Sequence, residues 1–207
     1  MSIKILLSST IVVATLNAQN LQTTQENYKN TITNSNPTQA VTIAQKSPKH
    51  KLTIAQATIL AINSIRSKPQ ICSKASTPVR WNNSLYQVTK EHTIDMAITG
   101  KLSHNGSGTK SDITAKNLGL NRGSYFYERV NQAKDSKKIL SSELVIRTDK
   151  DSYKKPKDLI NYWIAKQEDC KILMDPRFTD VAMSKVISNR DNKAYWTLML
   201  VGARKNK

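Results

Sequence analysis

Cysteine is scarce in this chain, and that scarcity argues against a reactive thiol. Among 207 residues only Cys72 and Cys170 are cysteines, with no Cys-x-x-Cys motif and no histidine close to either one. In an exported protein an even number of cysteines predicts a disulfide. A bridge between these two would close a loop of roughly 100 residues and constrain the unfolded state by roughly 4–5 kcal/mol.

Long apolar runs are missing except at the N-terminus. Residues 1–18 contain a single lysine, Lys4, followed by the apolar run 5–16 and the small residue Ala18. This layout is typical of a secretory signal peptide that is cleaved after Ala18. The run is too short to remain as a membrane span, and no cysteine follows it to carry a lipid anchor. An uncleaved membrane tether is the alternative interpretation of the same composition.

Large apolar residues are also few in the next segment, residues 19–52, which is rich in Asn, Thr, Gln and Ser. Such a composition cannot bury enough surface to offset the entropy of ordering, so we expect a disordered linker. The remaining residues, 53–204, are numerous enough for one hydrophobic core. The sequence therefore predicts one folded domain behind a signal peptide and a linker.

Acidic residues are in the minority, 15 against 32 lysines and arginines, which gives a net charge of +17. One interpretation is attraction to an anionic surface such as acidic glycans, lipid headgroups or nucleic acid. The other is a solvated, lysine-rich surface without a partner. Acidic residues interrupt the basic patches at 134–138 and 147–157, and no nucleic-acid motif accompanies them, so we expect no specific nucleic-acid partner.

Hydrophobic periodicity places helices in the first half of the domain and strands in the second, which favours an α+β fold over alternating βαβ units. The first helix, 53–67, carries an apolar stripe and starts at Thr53 as its N-cap. A second helix is expected over 83–99 and a third after Pro156. The expected strands are 139–146, 181–187 and 194–201, the last of them apolar enough to be covered on both faces. Five residues form the stripe of the first helix: Ile54, Ala57, Leu60, Ala61 and Ile65.

Segment 163–178 carries the most information about the fold. It completes the helix that follows Pro156, contains Cys170 and breaks at Asp175-Pro176 before a strand. We expect Asp169 and Cys170 to lie just past the end of that helix, where both side chains can reach other parts of the domain.

Seven short motifs occur in an order that resembles the CAP superfamily, the cysteine-rich secretory, antigen 5 and pathogenesis-related-1 proteins, and in particular its bacterial secreted branch. They extend over most of the expected domain, from about residue 54 to residue 202. The motifs are AINSIR at 61–66, VRWNNSL at 79–85, EHTIDMA at 91–97, LSHNGSG at 102–108, ERV at 128–130, WIAKQEDCKILMDPRF at 163–178 and AYWT at 194–197.

The resemblance implies a three-layer α-β-α sandwich with a central antiparallel sheet, and a disulfide between Cys72 and Cys170. It also implies a central cleft. Matched position by position, the cleft residues are His104, Glu143, Asp169 and Tyr195, and Glu128 remains an alternative to Glu143 as the cleft acid. The chain departs from the family pattern in three places: Ser-Glu-Leu at 142–144, Asp169 in the position of a histidine, and Leu198 in the position of a glutamine.

These departures leave one cleft imidazole, which favours a degenerate cleft without a cofactor. A set of His104, Glu143 and Asp169 would hold a divalent ion only weakly and exchangeably, because zinc prefers more nitrogen donors. His92 lies on the apolar face of its helix, and we expect a buried, hydrogen-bonded core residue rather than a ligand.

The resemblance predicts a secreted, extracellular or periplasmic, monomeric protein that acts as a non-enzymatic binding or envelope-associated module. Its expected partners are a lipid, glycan or protein ligand and anionic envelope surfaces. The alternative is a metal-assisted or acid–base hydrolase that uses His104 and Glu143. Ser103 and Ser107 are its candidate nucleophiles, but neither sits on the strained elbow that exposes a catalytic serine. A third interpretation is a purely structural module with a vestigial cleft.

Overall fold

The computed structural model describes residues 51–133 and 139–203. The predicted signal peptide, nearly all of the predicted linker and the basic patch at 134–138 lie outside these ranges. Within them, no helix has both the length and the apolar character needed to cross a bilayer.

Three helices pack on one face of the sheet. Helix α1 spans Ile54–Arg66 and begins as predicted at Thr53, whose hydroxyl accepts from the Gln56 amide while the Gln56 side chain accepts from the Thr53 amide. The predicted stripe is only partly the buried face, because Leu60 is 58% exposed while Ile62 is fully buried. The other two helices of this layer are α5, Pro156–Ile164, and α6, Gln167–Met174.

Asp169 and Cys170 lie beyond the end of the helix that begins at Pro156, but in a second helix rather than just past that end. Helix α5 ends at Ile164, and after a two-residue break α6 starts at Gln167 and includes both Asp169 and Cys170. Glu168 and Asp169 lie in its first turn, where the helix dipole favours negative charge. Cys170 is buried and bonded to Cys72, as predicted. The position of α6 is therefore fixed by tertiary contacts and not by a helix-ending residue nearby in the sequence.

The other face of the sheet is covered by α2, Asn83–Thr99, with two short helices beside it. Asn82 caps the N-terminus of α2, and Gly100 ends it in the left-handed region at φ 74°. The short helices are α3, Ile113–Asn117, and α4, Phe126–Gln132.

The sheet has four strands in the order β1-β3-β4-β2. Strand β2, Ile139–Asp149, pairs antiparallel with the whole of β4, Lys193–Ala203, which in turn pairs antiparallel with β3, Asp180–Ile187. The two-residue edge strand β1, Arg80–Trp81, runs parallel to β3. The predicted α-β-α sandwich is confirmed, and among the described residues its one parallel pair lies at this edge.

Strand β4 divides the core in two, as its apolar composition predicts. Trp196, Leu198 and Leu200 pack in the cluster that holds α1, α5 and α6. Met199 and Val201 pack with α2 and α4 on the opposite face. A side chain that stands opposite Met199 in the β2–β4 ladder therefore also faces α2. The candidate site lies on this face of the sheet.

Candidate functional site

A buried carboxylate lies at the centre of the site. Glu143 stands directly opposite Met199 in the β2–β4 ladder, so its side chain faces α2 and is only 1% exposed. Its Oε1 lies 2.9 Å from Nδ1 of His104, and its Oε2 lies 3.1 Å from Nη2 of Arg129. Arg129 is equally buried, whereas the His104 side chain is 57% exposed. The three residues form a chain that runs from the core to the surface.

The loop between α2 and α3 is tied down at His104 from two sides. Arg129, on α4, donates from Nη2 to the His104 carbonyl at 2.7 Å and from Nη1 to the Ser124 carbonyl at 2.9 Å. His92, on α2, donates from Nε2 to the Ser103 carbonyl at 2.8 Å. One guanidinium therefore fixes both the backbone of the exposed histidine and the carboxylate that its ring contacts.

Two buried aspartates shape the rest of the loop. Asp95 accepts from the Ser107 amide at 2.8 Å and from the Ser107 hydroxyl at 2.6 Å. Asp112 accepts from the amides of Gly108 and Ser124 at 3.0 and 2.9 Å. A Cβ on Gly106 would lie 2.1 Å from the Asp112 carboxylate, so only glycine fits there. The glycines and serines of this loop therefore build a fixed structure.

His92 is the buried, hydrogen-bonded residue that its place on the helix predicted, with 1% exposure. It also lies 3.8 Å from Glu143, which the sequence did not indicate. Burial, aided by the charge of Arg129, lowers the pKa of His92 despite the opposing effect of Glu143. The ring is therefore neutral, and because Nε2 donates, its unpartnered Nδ1 is an acceptor.

The charges of the site favour an ionised Glu143 and a protonated His104. Burial alone would raise the pKa of Glu143, but the hydrogen bonds from His104 and Arg129 and the charge of Arg129 lower it. The hydrogen bond to Glu143 raises the pKa of His104 against the smaller effect of burial. Because an ionised carboxylate only accepts, Nδ1 of His104 carries the proton and Nε2 is left for a ligand.

Protonation changes what this site offers to a partner. With His104 neutral, the charges of Glu143 and Arg129 cancel and Nε2 is a hydrogen-bond acceptor. With His104 protonated, the three residues carry one net positive charge and Nε2 becomes a donor. The site can therefore hold an anion or an acceptor at mildly acidic pH.

The structure distinguishes the two candidate acids. Glu143 contacts His104, whereas Glu128 accepts from the guanidinium of Arg122 at 2.7 and 2.9 Å and from the Tyr125 amide at 2.7 Å. Glu128 thus caps the start of α4 and takes no part in the cleft.

Two other predicted cleft residues are not brought to this site. Asp169 lies on α6, in the helix layer that packs against the opposite face of the sheet, and the charges near it are Lys166 and Glu168. Tyr195 faces α2 but is fully buried against Met96, and its hydroxyl donates to Asp191 at 2.8 Å. It is four residues along β4 from the partner of Glu143, roughly 13 Å at 3.3 Å per residue.

The set of His104, Glu143 and Asp169 is therefore not formed. Residues 51–133 and 139–203 contain no group of three or more His, Cys, Asp or Glu side chains suited to a metal ion. The Glu143 carboxylate is also occupied by His104 and Arg129, and a cation there would be repelled by the adjacent guanidinium. These residues do not fit a divalent metal.

No serine hydroxyl in the described ranges bonds to the His104 ring. The Ser107 hydroxyl donates to Asp95, and the Ser103 hydroxyl accepts from the Asn105 amide at 2.9 Å. The two candidate nucleophiles of the hydrolase hypothesis are thus engaged elsewhere in the loop.

The residue that sequence reasoning missed is Arg129. It stands in one of the recognised motifs, but an arginine on a short helix gives no sign of being 1% exposed. The available signal was charge balance, because a buried glutamate on a strand of the sheet requires a buried cationic partner.

Comparisons with known proteins agree with this architecture. A model of the cysteine-rich secretory protein family, CAP, matches residues 59–200. An extracellular protein containing an SCP domain from Bacillus anthracis is 15% identical with a TM-score of 0.51, over 72% of this chain and 40% of that one, so the chain spans under half of that protein. An outer surface protein from Borrelia burgdorferi is 16% identical with a TM-score of 0.51, over 75% of this chain and 98% of that one. No curated protein sequence matches.

Proposed function

The chain belongs to the cysteine-rich secretory protein family, and on that premise we propose that it is a secreted, non-enzymatic binding module of the cell envelope or its surroundings. In this proposal the cleft holds an anionic or hydrogen-bond-accepting group of the partner at Nε2 of His104. The observation that supports it is the hydrogen-bonded series of side chains His104, Glu143 and Arg129. It presents one exposed imidazole, whose pKa the hydrogen bond to Glu143 raises.

Binding rather than catalysis is favoured by what surrounds the imidazole. A serine hydrolase needs a hydroxyl hydrogen-bonded to its histidine, and Ser103 and Ser107 are held by other groups. The cleft is degenerate in this sense: it keeps the histidine and the carboxylate but joins them to an arginine instead of a nucleophile or metal.

The net charge of the chain acts at longer range. A charge of +17 attracts anionic polymers and lipid surfaces before any specific contact forms, and this attraction is screened within about 8 Å at physiological ionic strength. The general attraction should depend on salt, while the contribution of His104 should depend on pH.

The test uses a sulfated polysaccharide resin as the anionic probe and compares elution at pH 5.5 and pH 8. We expect the full chain to elute at higher salt at the lower pH, because His104 gains its charge as pH falls. The variant His104→Gln should lose most of this difference. The matched control is His50→Gln, which removes the histidine of the predicted linker and should keep it. Equal pH dependence in all three proteins would contradict the role of His104.

A second candidate function has one specific observation in its favour. The 2.9 Å contact between His104 Nδ1 and Glu143 orients the imidazole as a general base toward solvent, where it can activate a water molecule. Hydrolysis of ester and peptide test substrates would support this acid–base hydrolase, provided that His104→Ala abolishes it. A hydrolytic activity that survives His104→Ala would remove the cleft from the mechanism.

A further inference from the structure

The start of helix α4 carries three consecutive aromatic residues at the protein surface. Tyr125, Phe126 and Tyr127 supply three of the twelve rings of the chain (3 Trp, 7 Tyr and 2 Phe), yet none of the three is fully buried. Tyr127 is 48% exposed, and the other two are half-buried. Single exposed apolar residues are ordinary, but a contiguous exposed patch marks a surface that meets a partner.

The three rings pack on one another. The ring centroids of Tyr125 and Tyr127 lie 5.5 Å apart, with an angle of 24° between the ring planes. Phe126 meets Tyr127 nearly edge-on at 6.1 Å. The guanidinium of Arg122 lies over the Tyr125 ring, 4.0 Å from its centroid. We call these four side chains the aromatic platform.

Glu128 holds the platform in place. Its carboxylate accepts from the Arg122 guanidinium at 2.7 and 2.9 Å and from the Tyr125 amide at 2.7 Å. This bidentate pair fixes the orientation of the guanidinium over the ring and balances its charge. A surface that is ordered before binding loses little side-chain entropy when a ligand arrives, and tyrosine, with few rotatable bonds, suits this role.

The platform lies next to the cleft loop but is built from different side chains. The carbonyl of Ser124, the residue before Tyr125, accepts from the Gly106 amide at 2.7 Å and from Arg129 at 2.9 Å. The same guanidinium of Arg129 donates to the His104 carbonyl. The backbone that carries the platform is therefore fixed to the cleft loop, so the two surfaces are neighbours.

The chemistry of the platform favours a flat ring over a cation or an apolar chain. Aromatic faces attract cations, but Arg122 already lies over the Tyr125 face, and a net charge of +17 repels a second cation. An apolar chain is buried best in a groove that surrounds it. A sugar ring instead presents a flat face of C–H groups that one exposed aromatic ring can cover. The positive charge of the chain further favours a sugar polymer with acidic groups.

We propose that the aromatic platform binds an acidic polysaccharide and that one of its sugar rings stacks on Tyr127. The net positive charge brings the polymer to the protein, and the platform recognises the ring. This site goes beyond the function proposed for the cleft, because it uses other side chains and does not depend on the protonation of His104.

The test compares two polyanions that differ in having rings. The full chain is titrated at pH 8 with a heparin-derived hexasaccharide and with linear polyphosphate, and the heat of binding is measured by calorimetry. Tyr127→Leu should bind the hexasaccharide roughly tenfold more weakly, because leucine keeps an apolar side chain but has no ring. It should bind polyphosphate within about twofold of the parent. Equal losses for the two probes, or no loss for either, would overturn the proposal.

Two further variants separate stacking from other effects. Tyr127→Phe keeps the ring and should bind the hexasaccharide within about twofold of the parent. The matched control is Tyr28→Leu, which removes a tyrosine from the predicted linker and should bind like the parent. Sugar C–H resonances of the hexasaccharide should shift upfield with the parent and with Tyr127→Phe, because they lie over an aromatic face, and should not shift with Tyr127→Leu. A loss in Tyr127→Phe as large as that in Tyr127→Leu would contradict stacking.

An uncharged sugar tests the acidic part of the proposal. Maltohexaose has sugar rings without acidic groups, so it should bind more weakly than the hexasaccharide and should still depend on Tyr127. Equal affinity for the two sugars would contradict an acidic ligand.

The same titration distinguishes the platform from the cleft. His104→Gln should bind the hexasaccharide at pH 8 like the parent, whatever its behaviour on the polysaccharide resin. Binding that is weakened in His104→Gln and unchanged in Tyr127→Leu would place the sugar in the cleft and overturn the platform.

Discussion

Replacing Arg129 by methionine tests the core of the candidate site. Methionine keeps most of the apolar volume but removes the guanidinium that lies 3.1 Å from Glu143, 2.9 Å from the Ser124 carbonyl and 2.7 Å from the His104 carbonyl. The Glu143 carboxylate would then be buried with His104 as its one remaining charged contact. Removing one partner of a buried ion pair costs about 3–5 kcal/mol, because the other charge is left uncompensated.

The free energy of unfolding in urea, followed by tryptophan fluorescence, measures this loss. The matched control is Arg122→Met, which breaks an exposed arginine–glutamate pair with Glu128 and should have a much smaller effect. The double variant Arg129→Met, Glu143→Leu should recover much of the stability, because it removes both charges together. An Arg129→Met variant no less stable than Arg122→Met would refute the reasoning.

The pH dependence of Arg129→Met gives a second check. In the parent chain the lowered pKa of Glu143 contributes stability that is present above the unfolded-state pKa and is lost as pH falls through the folded-state pKa. Without Arg129 the effect of burial dominates and raises that pKa. The cost of Arg129→Met should therefore shrink in acid, where Glu143 takes up a proton. A cost that is constant from pH 4 to pH 8 would mean that the lost packing, rather than the lost charge, destabilises the variant.

Three further predictions concern single features of the fold and the site. Replacing Cys72 and Cys170 together by serine should lower the free energy of unfolding by about 4 kcal/mol, and a urea midpoint equal to that of the parent would contradict the chain-entropy argument. Glu143→Gln should lower the His104 pKa measured by NMR titration, and an unchanged pKa would show that the hydrogen bond to Glu143 does not raise it. In the parent chain, the stability that this contact contributes should be lost as pH rises through the raised pKa of His104. Thr53→Ala should cost about 1 kcal/mol through loss of the N-cap, measured by urea unfolding, whereas Thr53→Ser should cost little.

Local patterns predicted most of the fold, because the elements obey local rules. The cap at Thr53, the left-handed stop at Gly100 and the doubly buried strand β4 all follow from residues within a few positions. The second helix, α6, was not predictable in this way. It starts without a preceding glycine or proline, and the contacts that fix it come from Cys72 and the distant core.

Of the candidate site, only the pair of His104 and Glu143 was predictable from the sequence. Glu143 faces α2 because of its partner in β4, and it meets His104 because the loop after α2 folds back over that position. Asp169 and Tyr195 were assigned by resemblance alone, and the layer of α6 and the register of β4 keep both away. Arg129 has no local signature, since its role depends on the burial of Glu143.

The alternation of β4 gives the two faces of the sheet different surroundings. Met199 stands opposite Glu143 and packs toward α2, while Trp196 faces the other way, toward α1 and α5. The sheet between the two helix layers is closely packed, with every residue from Ala194 to Gly202 buried, so no opening joins its faces through this strand. The exposed imidazole therefore belongs to the α2 face alone, and a partner held at His104 would leave the layer of α1, α5 and α6 free.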